Sequence, residues 1–247
     1  MRAMLVAFAF LTRIPVGRGT VQDRDLGRSV GFFPLVGLVL GFFLAGIAYL
    51  LGGYMPVLPL AVILVAILAA ATGALHLDGL ADLFDGLAGG RGDPRRTLEI
   101  MRDSRIGAQG AVALVLVMFA KTAALAAVLE HRDYLSLVAF PVIARWVVTP
   151  QIALFPYARA EGLGRAFSGE ARWPQVLVAT GIMTAVAVGL GAPIAKQAVL
   201  ALAATTGMAL WLRGRLGGLT GDIYGATIEV GETTALMAAA LHVAILK

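Results

Sequence analysis

The stretch "PVLPLAVILVAILAAATGALHLDGLADLFDGLAGG", residues 56–90, decides the fold class of this chain. It opens with about twenty residues that are almost all apolar, which is the length of one membrane-crossing helix. Three aspartates, Asp78, Asp82 and Asp85, follow within eight positions. The stretch therefore predicts a membrane helix whose end carries a concentration of acidic side chains.

The composition of the whole chain agrees with a membrane protein. Of its 247 residues, 59% are hydrophobic and only 14% are charged, whereas soluble domains average roughly 25% charged residues. The mean hydropathy is +0.85. Cysteine does not occur in the sequence, which excludes disulfides, thiolate metal sites and cysteine nucleophiles.

Apolar runs bounded by Gly and Pro predict an all-α fold, a polytopic integral membrane helical bundle in a single domain over 1–247. We expect about six or seven transmembrane helices plus an N-terminal helix that lies at the interface or is re-entrant. That N-terminal segment has a short apolar core and no small-x-small cleavage site, so we expect it to stay on the chain rather than to act as a signal peptide. The predicted crossings are 29–52, 56–76, 107–129, 134–156, 174–193, 196–212 and 233–246, of which the last is short.

Lys and Arg are distributed unevenly between alternate loops. Segments 1–28, 77–106, 157–173 and 213–232 hold five, five, three and two of them, and the intervening loops hold at most one each. The positive-inside rule therefore predicts a multi-pass protein of the cytoplasmic (inner) membrane, with its N-terminus and long loops in the cytoplasm. Since orientation accounts for the net charge of +5, we expect the lipid bilayer, and no nucleic acid, as a partner.

The aspartates of the opening stretch have the spacing of one helical face. Asp78, Asp82 and Asp85 stand at i, i+4 and i+7, within about 60° of one another if 77–88 is helical. Like charges so placed repel, unless a divalent cation binds them. Mg²⁺ takes one or two carboxylates together with substrate phosphates. We predict a metal site here; a solvated acidic helix end is the alternative.

An arginine-rich stretch, "RGDPRRTLEIMRDSRIGAQG" at 91–110, follows the acids. Arginine binds phosphate oxygens with two parallel hydrogen bonds. Arg102, Ser104 and Arg105 precede a glycine-containing helix start, which is itself an anion site. We predict that these three bind phosphate; membrane anchoring is the alternative.

A second acidic group lies in "GGLTGDIYGATIEVGE", residues 217–232. Asp222, Glu229 and Glu232 line one helical side if the segment is helical from 222. We expect a second carboxylate cluster that faces the first, for a second metal or for orienting an alcohol. An ordinary loop between helices is the alternative.

Two basic residues, Lys121 and Arg145, fall within predicted crossings. A charge at the centre of a membrane helix costs roughly 2.5–3.5 kcal/mol, so such residues are candidates for function by default. We expect Arg145 to bind substrate phosphate or an acidic partner, and assign Lys121 to the same group. His76, just before the acids, is either a partner of the metal ligands or a plain helix-end histidine.

Five blocks of the sequence together resemble the cobalamin synthase family, the adenosylcobinamide-GDP ribazoletransferases. The resemblance spans nearly the whole chain in the expected order. In place of the family's frequent "DGLADTADG", this chain has Leu83 and Phe84, which leaves the acids in position. The blocks are "FLTRIPVG" (10–17), "FFPLVG" (32–37), "HLDGLADLFDG" (76–86), "IMRDSRIGAQG" (100–110) and "GGLTGDIYGATIEVGE" (217–232).

The resemblance implies the last assembly step of the vitamin B12 nucleotide loop. Adenosylcobinamide-GDP would react with α-ribazole, or its 5′-phosphate, and release GMP, with Mg²⁺ as cofactor. Asp78 and Asp82 are then the first metal ligands and Asp85 the third, while Asp85 or Asp222 accepts the proton of the alcohol. A membrane location is compatible with a homo-oligomer and with contacts to other enzymes of the pathway.

Three alternatives stay open on the sequence. A CDP-alcohol phosphotransferase would need a DG-x-x-A-R pattern that is only half present, because Asp82 stands where alanine belongs. A prenyltransferase would carry two D-x-x-x-D motifs, and 217–232 lacks the second. A transporter would place polar groups near the midplane, whereas here they gather at one face.

Overall fold

The computed structural model describes residues 1–14 and 21–245, and these form helices joined by short loops. It confirms the predicted all-α membrane bundle. Residues 15–17 of the "FLTRIPVG" block and residue 246 of the last predicted crossing lie outside the described residues. The helices are α1 (Arg2–Leu11), α2 (Asp23–Ser29), α3 (Phe33–Leu51), α4 (Val57–Thr72), α5 (Leu75–Gly90), α6 (Pro94–Ile100), α7 (Ala108–Glu130), α8 (Tyr134–Leu154), α9 (Leu163–Glu170), α10 (Trp173–Leu190), α11 (Ala192–Leu216) and α12 (Gly221–Ile245).

Six helical segments of the described chain are long and apolar enough to cross a membrane. The first of them joins α2 and α3 through one tight turn. Taken together, α4 and α5 also have the length and apolar composition of one crossing, although the two helices meet at 90°. The six are Asp23–Leu51, Ala108–Glu130, Tyr134–Leu154, Trp173–Leu190, Ala192–Leu216 and Gly221–Ile245.

The α4–α5 pair is itself a crossing, because the chain changes face between α3 and α7. Tyr49, near the end of α3, contacts Tyr134 at the start of α8, with ring centroids 6.0 Å apart. The end of α3 therefore shares a face with the end of α7, which immediately precedes α8. Since α7 starts on the opposite face, residues between α3 and α7 must traverse the bundle. With the bent pair counted as one crossing, the described chain has seven candidate crossings, one of them broken.

The break between α4 and α5 lies at Gly73 and Ala74, which both have left-handed backbone conformations, with φ of 63° and 56°. Glycine adopts this conformation without steric cost and is common at helix ends. The backbone N–H of Arg13 donates to the Ala71 carbonyl at 2.8 Å. The segment after α1 thus packs on the bend that turns α5 across the bundle.

Close helix packing is clearest between α3 and α8. Gly37 and Gly41 stand four residues apart and face the backbone of Pro141 and Val138, where an added Cβ would overlap a carbonyl oxygen. Small residues at this spacing let membrane helices approach closely, since van der Waals contact rather than water exclusion drives their association. The α8 helix is also the most buried of the six unbroken crossings.

The last crossing was predicted at 233–246, and its predicted start is wrong because α12 begins at Gly221. Only residues 217–220 separate it from α11. Glu229 and Glu232, which lowered the hydropathy of this segment, are buried inside the bundle with basic partners. Because ion pairs make these acids compatible with a membrane helix, the prediction of a cytoplasmic loop over 213–232 is wrong for residues 221–232.

Candidate active site

The site is built where α5 meets α12. A Cβ on Gly79 would lie 2.9 Å from the Cα of Asp222, and a Cβ on Gly225 would lie 3.3 Å from the Cα of His76. Side chains at these two glycines would hold the helices apart. Their absence brings the acidic face of α5 directly against the first turn of α12.

Three carboxylates gather at this contact. Asp82 lies within electrostatic range of both Asp78 and Asp222. Asp78 is exposed and Asp82 is half-buried. Within the described chain no group donates a hydrogen bond to either side chain. Two unpartnered carboxylates are ligands of the kind that a hard cation such as Mg²⁺ takes, with its other positions left to water or phosphate.

Arg159 completes the cluster and was not predicted. Its Nη2 lies 2.7 Å from Oδ2 of Asp222, with the arginine side chain 11% exposed. The Nε atom of Arg159 is buried and has no hydrogen-bond partner among the described residues. The arginine therefore balances one acid and keeps a spare donor for an anion.

Backbone hydrogen bonds hold Arg159 in place. The N–H of Ala158 donates to the Leu219 carbonyl, and the N–H of Leu219 donates to the Pro156 carbonyl, both at 2.8 Å. These bonds join the loop after α8 to the loop before α12. In the sequence, Arg159 is one of the basic residues of segment 157–173. The positive-inside rule already accounts for basic residues in that segment, so nothing marked Arg159 as part of a site.

A cavity of about 230 Å³ opens beside the cluster. Asp78, Asp222 and Arg159 form part of its wall, and the rest is mainly apolar. Tyr157, in the loop after α8, also borders it, and burial raises the pKa of its phenol. The arrangement places acids and a guanidinium at the edge of an apolar chamber.

Asp85 has a different position from the other acids of α5. It accepts hydrogen bonds from the backbone N–H groups of Gly107 and Gly110, at 2.7 and 2.8 Å. The carboxylate thus caps the start of α7, where the helix dipole favours a negative charge. The structure does not bring Asp78, Asp82 and Asp85 together on one cation, and no three His, Asp or Glu side chains within 1–14 and 21–245 are placed to hold one.

The predicted phosphate-binding residues of 102–105 are all exposed. Arg105 pairs with Asp103 at 2.6 Å, and its hydrogen bond lowers the pKa of the Asp103 carboxyl to about 2. Arg105 borders a separate shallow depression with Asp85, whereas Arg102 lies within electrostatic range of Tyr157. Arg102 is thus nearer the cluster than Arg105, and Ser104 makes no hydrogen bond among the described residues.

The two basic residues of the crossings form a buried ion network with the glutamates of α12. Lys121 of α7 donates to Glu229 at 2.6 Å and also to Glu232, and Arg145 of α8 donates to Glu232. All four side chains are 5% exposed or less. Two cations and two anions cancel, which is the condition under which buried charges are tolerated.

This network corrects one expectation and agrees with another. Glu229 and Glu232 do not form a second cluster that faces the aspartates, because Lys121 and Arg145 neutralise them. The structure gives Arg145 the acidic partner that was one of its two predicted roles. His76 is buried between the network and the cavity, and its Nε2 atom has no hydrogen-bond partner in the described chain.

Comparison with known proteins identifies the family. The model of the cobalamin-5-phosphate synthase family matches residues 3–240. A relative from Syntrophobacter fumaroxidans, named adenosylcobinamide-GDP ribazoletransferase, is 46% identical over 240 residues, which covers 95% of this chain and 96% of the relative. Relatives of the same name from Geotalea daltonii and Ectopseudomonas mendocina are 45% and 41% identical, over 96% and 98% of this chain and 96% and 99% of their own.

No solved structure matches the chain. The family match covers nearly all of the described helices, including both helices that meet at the aspartates. The predicted resemblance is confirmed: the chain belongs to the cobalamin-5-phosphate synthase family.

Proposed function

We propose that the chain joins adenosylcobinamide-GDP to α-ribazole, or to its 5′-phosphate, and releases GMP. The product is adenosylcobalamin or its 5′-phosphate. The observation that carries the proposal is the cluster of Asp78, Asp82, Asp222 and Arg159 beside an apolar cavity. Such a cluster suits a diphosphate and an alcohol that must meet next to an apolar group. The names of the relatives supply the identity of the substrates.

The reaction exchanges one phosphate bond for another. A ribose hydroxyl oxygen of α-ribazole, other than the 5′ oxygen that carries the phosphate in the alternative acceptor, attacks the phosphorus attached to cobinamide, and the bond between that phosphorus and the bridging oxygen breaks. GMP leaves with the bridging oxygen, and the hydroxyl proton passes to a base. Catalysis of this kind is mostly positioning and neutralisation of charge, because the protein forms no covalent bond.

Asp78 and Asp82 would hold Mg²⁺, since neither carboxylate has another partner among the described residues. When bound, the ion neutralises charge on the diphosphate oxygens. Arg159 would bind an oxygen of the diphosphate through its free Nε–H, as arginine does with phosphate. Arg102, which is exposed and within electrostatic range of Tyr157, would approach the GDP portion from solution.

Asp222 is the better placed of the two proposed proton acceptors. Both oxygens of Asp85 already accept backbone hydrogen bonds. Asp222 borders the cavity, and its contacts with Arg159 and Thr220 both involve Oδ2. Its other oxygen has no hydrogen bond within the described residues and would accept the proton of the hydroxyl.

We further propose that this site faces the cytoplasm from the inner membrane. The segments that build the site, 75–107, 155–172 and 217–220, lie at one face of the bundle together with α1. That face holds most of the Lys and Arg residues outside the crossings, which the positive-inside rule assigns to the cytoplasm.

The proposal is tested with the purified protein in detergent. Adenosylcobinamide-GDP and α-ribazole are supplied with increasing Mg²⁺, and GMP is measured by chromatography. We expect GMP and adenosylcobalamin in equal amounts, and neither after chelation of the metal. GMP without a corrinoid product would indicate hydrolysis only, and no GMP at any Mg²⁺ concentration would contradict the proposal.

A further inference from the structure

The cavity beside the acidic cluster has an aromatic wall that the phosphate chemistry does not use. Phe10 of α1, Phe33 of α3 and Phe167 of α9 all border it. The ring centroids of Phe10 and Phe167 are 4.5 Å apart, and those of Phe33 and Phe167 are 6.0 Å apart. Three helices distant in sequence thus contribute rings to one surface.

Two other residues of the wall carry buried polar atoms. The hydroxyl of Tyr224 is buried and forms no hydrogen bond of normal geometry among the described residues, although the Ser168 side chain approaches it, and the residue is only 6% exposed. The Nε2 atom of His76 is likewise buried and unpartnered. A buried polar group without a partner costs free energy, so both atoms are available to a bound molecule that supplies one.

We propose that this cavity binds the fused aromatic base of the acceptor nucleoside, with the Tyr224 hydroxyl donating a hydrogen bond to the base's free ring nitrogen. The proposal rests on the function proposed above and names where the acceptor lies within that site. The ribose would then extend toward Asp222, which would bring the attacking ribose hydroxyl beside the proposed proton acceptor.

The lining of the cavity fits this base better than it fits the other groups of the two substrates. A benzimidazole base is apolar except for one free ring nitrogen, which matches an aromatic wall with few donors. Guanine carries donors and acceptors along most of its edge and would leave them unpaired here. The corrin macrocycle is larger than drug-sized ligands, whose pockets begin near 300 Å³, and this cavity has about 230 Å³.

Substitution of the aromatic wall tests the stacking contact. Phe10→Ala should weaken equilibrium binding of radiolabelled α-ribazole by roughly 5- to 150-fold, the range seen when a base loses one aromatic partner. The KM for adenosylcobinamide-GDP should stay unchanged. Phe8→Ala is the matched control, because Phe8 lies on the same helix and does not border the cavity. Equal binding in Phe10→Ala and wild type would overturn the assignment.

A second variant tests the hydrogen bond without opening the core. In wild type, α-ribazole should bind about 3- to 10-fold more tightly than an analogue whose free ring nitrogen is replaced by CH. Tyr224→Phe should abolish this difference while it retains binding of the analogue. If Tyr224→Phe preserves the preference, the hydroxyl does not contact the base and the proposed orientation is wrong.

The two proposals fail in distinguishable ways. If wild type releases no GMP from adenosylcobinamide-GDP and α-ribazole, the proposed function fails. If wild type turns over normally but Phe10→Ala and Tyr224→Phe bind α-ribazole as wild type does, only the base site fails. That second result would leave the cavity to a lipid chain or another apolar group.

Discussion

The guanidinium of Arg159 lies 2.7 Å from the carboxylate of Asp222, although one residue belongs to the loop after α8 and the other to the first turn of α12. The pair is held by the backbone hydrogen bonds between Leu219 and the loop at 156–158. It sets a positive charge among the acids of the site. Arg159 neutralises Asp222, and under the proposed function it would also offer a donor to the diphosphate.

Arg159→Ala should therefore lower turnover strongly while the protein still folds. Loss of one well-placed donor to a developing negative charge costs about 10²–10³-fold in kcat. Arg159→Lys should recover part of the loss, because lysine keeps the charge without the planar fork. GMP release is the measurement. Arg28→Ala, an exposed arginine of α2, is the control and should retain activity; equal turnover in both variants would contradict the role of Arg159.

Asp78→Asn and Asp82→Asn should each remove a ligand of Mg²⁺. Both preserve size and remove one negative charge from a repelling group, so folding should be preserved. We expect turnover to fall by more than about 100-fold, beyond the usual 10–100-fold effect of residues that only support a ligand. GMP release measured against Mg²⁺ concentration checks this. If both variants keep wild-type turnover and the wild-type Mg²⁺ requirement, Asp78 and Asp82 do not bind the metal and form only a solvated acidic helix face.

The sequence predicted the helix that carries the acids. It did not predict which neighbouring element each acidic side chain faces. The spacing of Asp78, Asp82 and Asp85 placed them on one face of a helix over 77–88, and α5 covers that range. That face lies between two neighbours, so Asp78 faces the cavity beside α12 while Asp85 caps α7. Spacing within one helix carries no information on which neighbour each residue meets.

Hydropathy predicted the crossings well wherever their charges were few. It failed at α12, because Glu229 and Glu232 lower the hydropathy of this helix to that of a loop. Their charges are compensated by Lys121 and Arg145, which hydropathy does not take into account. It also gave no signal for Arg159, whose role depends on two loops that meet only in the folded chain. Both failures concern charges that are compensated by residues distant in sequence.

Asp85→Ala should reduce stability more than it affects metal dependence. Its carboxylate accepts two backbone hydrogen bonds at the start of α7, and hydrogen bonds to a charged group are worth about 1.5–3 kcal/mol each. We expect a lower Tm in detergent and residual activity with the wild-type Mg²⁺ requirement. A normal Tm with a raised Mg²⁺ requirement would instead support the original prediction that Asp85 binds the metal.

The buried ion network predicts strong coupling between α8 and α12. Arg145→Leu should be poorly folded, because Glu232 loses one partner, and breaking a buried pair costs about 3–5 kcal/mol. The double variant Arg145→Leu with Glu232→Leu removes both charges and should recover much of the lost stability. Detergent-soluble yield and Tm measure this. Additive losses in the double variant would show that the two residues are not coupled.

The orientation of the site is testable by cysteine labelling, since the chain has no native cysteine. Arg95→Cys on α6 and Gly214→Cys on α11 should react with an impermeant thiol reagent only after cells are opened. Gly53→Cys, exposed in the loop before α4, should react in intact cells. All three positions are exposed, and an added Cβ at either glycine meets no neighbour within 4 Å. Because seven crossings put Gly53 opposite the other two, labelling of Arg95→Cys in intact cells would reverse the orientation, and labelling of all three alike would contradict the crossing formed by α4 and α5.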